Sequence, residues 1–143
     1  MNQTFPKHER LHGRNAFQKL FSEGKVFYCY PFKCVYLWGE GENFSAKMAV
    51  SVSKKKFKRA VDRNRIKRLI KESYRLEKAI LFQNYENIPK NLDLIIIYTE
   101  TKIHSFSFIN KKVIELINKI IKTNETKNLP LFEENFEKTE NNQ

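Results

Sequence analysis

The sequence predicts an α+β sandwich, one four-stranded sheet covered by helices, in the order helix, three strands, helix, strand, helix. Two patterns and one bound predict it. Apolar residues recur at three- and four-residue spacing in three separate segments, which is the period of an amphipathic helix. Other segments are dense in β-branched and aromatic residues, alternating or in short apolar runs, which is the pattern of strands. The chain has 143 residues, 41% of them hydrophobic and twelve of them Phe, enough for one domain with its own core.

Asn15 precedes Phe17, Leu20 and Phe21, one apolar helical stripe, and Gly24 is its expected stop. From Val26 to Trp38 the density of aromatic and β-branched residues predicts an irregular strand leading into a better one, with Pro31 as the interruption. GEGEN, residues 39–43, is a turn; Ala46, Met48, Val50 and Val52 then alternate with Lys47, Ala49 and Ser51 as in a strand with one buried face. Residues 58–82 contain no Gly or Pro and place Ile66, Leu69, Ile70, Ser73 and Tyr74 on one side of a long helix. Leu92 to Tyr98 is a nearly continuous apolar run of strand length, predicting a central strand covered on both faces. Phe108, Val113, Leu116, Ile117, Ile120 and Ile121 predict a last helix starting near Ser105 or Ser107. The domain is expected to span residues 1–122, and residues 123–143, rich in Asn, Glu, Lys and Thr, are expected to form a mobile polar tail.

The formal net charge is +11, which points to a polyanionic partner because clustered Lys and Arg displace counterions from phosphates. Residues 54–78 hold twelve Lys and Arg against three Asp and Glu, and so carry nine of the eleven net charges. At 100° per residue Asn64, Arg68, Lys71 and Arg75 share a narrow arc opposite Ile66 and Ser73, flanked by Arg65, Lys67 and Lys78. This arc spans about 16 Å at the helical rise per residue and can touch several successive phosphates. Arg offers forked donors to phosphate oxygens, and Asn64 can reach a phosphate, a ribose hydroxyl or a base edge. A merely solvated face would mix charges of both signs for four-residue pairing, and no acidic residue falls in this arc. Lys54, Lys55 and Lys56 extend the patch back to the end of the preceding strand.

Other classes fare worse. The longest apolar run, Leu94 to Ile97, is far shorter than the roughly 20 residues that cross a bilayer, and the first fourteen residues lack the apolar core of a signal peptide. A cytoplasmic location is therefore expected, with Cys29 and Cys34 as buried thiols rather than a disulfide framework or zinc site. His8, His12 and His104 form no close pair and the carboxylates show no metal-binding spacing, so no catalytic or metal-ligating residue is assigned to the polypeptide.

The stretch Ser51-Val-Ser-Lys-Lys, followed by Ala60-Val-Asp-Arg-Asn-Arg-Ile-Lys-Arg-Leu-Ile-Lys-Glu-Ser-Tyr-Arg, resembles the signature of the bacterial ribonuclease P protein family. The likeness extends to Arg10-Leu11, to Phe17-Gln-Lys-Leu-Phe21 and to Asp93-Leu-Ile-Ile-Ile, over roughly residues 9–121. It implies a left-handed crossover between two parallel strands, against the usual right-handed preference. It also implies an accessory role beside a catalytic RNA that uses Mg²⁺, held mainly through RNA, to remove the 5′ leader of precursor tRNA. Contacts to the catalytic RNA are carried onto Arg63, Asn64, Arg65, Lys67 and Arg68, while Lys71 and Arg75 join them from the helical wheel. The resemblance further implies a cleft between the first helix and the sheet that holds the single-stranded leader. Arg10, Phe17, Phe21 and an aromatic of the second strand, Phe32 or preferably Tyr36, are expected to line it, with Val35 the third candidate there. The segment KFKR, residues 56–59, departs from the family pattern by about one extra residue and a missing Gly. The competing readings are a general or ribosome-associated RNA-binding protein and, less well supported, a protein nuclease. No organic cofactor and no obligate protein partner are expected.

Overall fold

The computed structural model describes residues 4–128, with side chains described through Thr123. After a 3₁₀ turn at Lys7–Glu9 come α1 (Arg14–Glu23), β1 (Lys25–Cys29), β2 (Phe32–Glu40) and β3 (Ser45–Val52). They are followed by α2 (Ala60–Asn84), β4 (Lys90–Tyr98) and α3 (Phe106–Asn128). The strands form one mixed sheet in the order β1-β2-β4-β3. β4 pairs antiparallel with β2 and parallel with β3, and α2 is the connection between the parallel pair. The predicted α+β class and element order are therefore the ones observed.

Three layers result. On one side of the sheet, α2 and α3 bury the larger core, in which Ile66, Ile70 and Tyr74 of α2 and Val113, Leu116 and Ile120 of α3 meet Met48, Leu94 and Ile96. On the other, α1 lays Leu20 onto Val35 and Ile95, with Leu11, Phe17, Leu37 and Ala49 around them. β4 is thus covered on both faces, which explains its unbroken apolar run. Two glycines set the ends of α1. Gly13 precedes it with φ +98°, a conformation that side chains disfavour. At Gly24 a Cβ would stand 2.9 Å from the Tyr36 carbonyl oxygen, so only Gly lets the helix end against β2.

Two expectations change here. Phe32 and Tyr36 do not lie on the α1 side of the sheet. Residues alternate along β2, so Val35 and Leu37 face α1 while Phe32 and Tyr36 join the core beneath α2 and α3. Phe32 is 1% exposed and its ring lies 6.3 Å from that of Tyr98. The last helix also continues to Asn128, past the expected boundary at residue 122, and the rest of the proposed tail, residues 129–143, lies outside the described residues. Ser105 caps that helix by accepting a hydrogen bond from the Phe108 N–H at 3.2 Å. Both cysteines are free and buried, as expected, and burial pushes the Cys34 thiol up.

Candidate nucleic-acid interface

α2 owes its orientation to its apolar stripe: Ile66, Ile70, Ser73 and Tyr74 are buried, which turns Asn64, Arg65, Arg68 and Lys71 outward. None of these four makes an ion pair with a carboxylate among the described residues. Asn64, Arg68 and Lys71, with Lys67, Glu72 and Arg75 of the same helix and Arg10 from the N-terminal segment, line a shallow depression of about 360 Å³. Arg10 is held there by two hydrogen bonds from its guanidinium to the Phe5 carbonyl, at 3.2 and 3.0 Å, and lies over the Phe5 ring. Burial, then Lys67 and Arg10, depress the Lys71 pKa. Cations gathered this closely favour a bound polyanion, which would relieve their repulsion.

Other predicted members are engaged otherwise. Arg63 donates through Nη1 to the carbonyls of Phe57 at 2.7 Å and Lys58 at 2.9 Å, tying the basic loop to the first turn of α2. Phe57 itself is buried against Tyr98, and its N–H donates to the Ser53 carbonyl at 3.0 Å. The KFKR segment is therefore anchored by its one apolar residue, leaving Lys54, Lys55, Lys56, Lys58 and Arg59 exposed. Arg75 is paired with Glu72 at 2.6 Å, and that guanidinium holds the Glu72 carboxyl below the usual carboxylate range. Lys78, expected to flank the basic arc, turns inward. It is 2% exposed and pairs with Glu9 of the 3₁₀ turn at 2.5 Å. This buried contact, together with Phe5 against Tyr74, fastens the N-terminal segment to α2 and so places Arg10. No local pattern could have signalled it, since the partners are 69 residues apart.

The cleft candidates divide. Phe17 packs on the Leu20 cluster and, with Arg10, His12 and Ala49, lines a groove of about 330 Å³. Arg10 borders both this groove and the depression on α2. Phe21 is 55% exposed on the same stripe of α1. From β2, Val35 lies under the helix, with Leu37 beside it.

A family model for ribonuclease P matches residues 5–121. The chain belongs to the ribonuclease P family. A ribonuclease P protein component of Porphyromonas gingivalis is 49% identical over 76 residues, which cover 52% of this chain and 56% of that relative. The chain thus spans little more than half the length of that curated relative. Another, from Dictyoglomus turgidum, is 38% identical over 97 residues, covering 62% of this chain and 79% of the relative. Among solved structures, the RNase P protein of Staphylococcus aureus aligns with a TM-score of 0.60 at 27% identity, over 83% of this chain and 93% of the other. The RNase P protein of Thermotoga maritima shares the fold, with a TM-score of 0.61 at 24% identity over 78% and 96% of the two chains.

Proposed function

We propose that this protein is the RNA-binding subunit of a ribonuclease P, assisting a catalytic RNA in Mg²⁺-dependent removal of the 5′ leader from precursor tRNA in the cytoplasm. The observation that carries the reading is the row Asn64, Arg65, Lys67, Arg68 and Lys71, outward on α2 and joined by Arg10. Such a row attracts phosphates and carries no sequence information by itself, which suits a large folded RNA. Membership of the ribonuclease P family supports taking that RNA to be the catalytic RNA of ribonuclease P. The exposed loop cations Lys54 and Lys55 extend the same contact.

The leader would run over the α1 side of the sheet, against Phe17 and Phe21, where bases are recognised by shape and stacking. In this reading the Mg²⁺ ions of the reaction are held mainly through the RNA. No described helix is long and apolar enough to cross a membrane.

The test is a cleavage assay on precursor tRNA with protein alone, catalytic RNA alone and both together. The protein alone is expected not to cut, and to stimulate the RNA at low Mg²⁺. Cleavage without RNA would overturn the reading in favour of a protein nuclease. RNA binding without stimulation would favour a general RNA-binding role.

A further inference from the structure

The sheet surface beside α1 carries an aromatic that no expectation included. In the β1–β2 register Val26 lies opposite Val35 and Tyr28 opposite Lys33. Directly opposed residues of an antiparallel pair point to the same side. Because Val35 packs under Leu20 of α1, Val26, Tyr28 and Lys33 all lie on the α1 side. On that side β2 presents Lys33, Val35 and Leu37, so it offers no ring; β1 offers Tyr28. Tyr28 is 67% exposed and Val26 48%. The Lys33 ammonium stands 6.0 Å over the Tyr28 ring centroid.

An exposed tyrosine on an edge strand adds little to the core, and a ring beside a cation suits an unpaired nucleotide. The base can stack on the open ring surface while the ammonium meets the neighbouring phosphate. We propose that Tyr28 and Lys33 form a nucleotide subsite at the β1 edge, a sequence-tolerant step for single-stranded RNA continuing from the Phe17 groove. The inference rests on the reading that the leader crosses this side of the sheet. From Ala49 of β3, beside Phe17, to Tyr28 of β1 the track crosses three strand spacings, about 14 Å. Only a leader several nucleotides long can therefore occupy both ends.

The experiment uses the reconstituted holoenzyme and precursor tRNA carrying one 2-aminopurine, moved position by position along the leader. One position should be quenched by the wild-type protein and by Tyr28→Phe, and should brighten with Tyr28→Ala. Tyr28→Ala should weaken a long-leader precursor by about fivefold or more, the low end of base–aromatic stacking. A short-leader precursor and mature tRNA should bind unchanged, and Lys33→Gln should flatten the salt dependence for the long leader alone. If Tyr28→Ala binds the long leader like wild type while Phe17→Ala weakens it, the subsite is wrong and the leader reading stands. If neither variant alters the preference for precursor over mature tRNA, both are wrong. An equal loss on all three RNAs also overturns the subsite, because that is the mark of damaged folding.

Discussion

The two halves of α2 carry the same kinds of residue to opposite ends. In the first half Asn64, Arg65, Lys67, Arg68 and Lys71 reach outward with no carboxylate ion pair among the described residues. In the second half Arg75 is held by Glu72, Lys78 by Glu9, and Glu77 accepts a hydrogen bond from Asn110 Nδ2 at 3.0 Å. The first half is therefore available to a polyanion, while in the second Lys78 and Glu77 fasten the N-terminal segment and α3 and Arg75 is shared with Glu72 of the same helix. Residue type does not distinguish the halves; burial and the partner brought by another element do.

The contrast breaks most sharply at the buried pair. Lys78→Ala leaves Glu9 in a largely enclosed site without its buried cation, with only the exposed His8 imidazole 3.9 Å away, and is expected to cost about 3–5 kcal/mol in denaturant unfolding. Replacing both partners, with Glu9→Leu and Lys78→Met, should recover most of that loss. A Lys78→Ala protein with wild-type stability and weakened RNA binding would move Lys78 back to the interface.

Arg68→Ala is expected to behave in the opposite way, with stability changed by no more than about 0.5 kcal/mol. RNA affinity should fall and the slope of log K against log salt should shrink by about one. An unchanged slope in filter-binding titrations would remove the outward row from the interface. Between these lies Arg75, whose charge is shared with an exposed carboxylate. Glu72→Gln should strengthen RNA binding modestly by releasing it; weaker binding would show that Glu72 orders the arginine for contact.

The smallest effect concerns protonation. Lys71 titrates low because of burial, then Lys67 and Arg10. Lys67→Gln should raise its pKa, measured by NMR at Nζ, and binding of RNA should raise it further. A lysine whose folded pKa is lowered weighs against folding while it is charged. That cost is fully present below the lowered pKa and disappears as pH rises through the unfolded value. Stability should therefore gain slightly toward alkaline pH from this group, and less so in Lys67→Gln.

Local signals made much of this legible in advance. The three helices, the strand order in the chain and the outward row on α2 follow from residues within a few positions of one another, because a helical wheel is fixed by the helix itself. β2 was harder. Phe32, Cys34, Tyr36 and Trp38 on one face and Val35 and Leu37 on the other are both apolar sets, since helices cover both sides, so alternation could not tell which face meets α1. The resemblance points to an aromatic of the second strand, and the alternation offers no signal against Phe32 or Tyr36.

By itself the sequence determined which segments fold into helices and strands and that one helix concentrates the positive charge. Periodicity and charge density are properties of neighbours along the chain. Only the tertiary structure decided that Lys78 is spent on Glu9, that Arg10 joins the row on α2, and that the ring beside α1 comes from β1. Each of those depends on which distant segment occupies the next few ångströms, and chain spacing does not encode that.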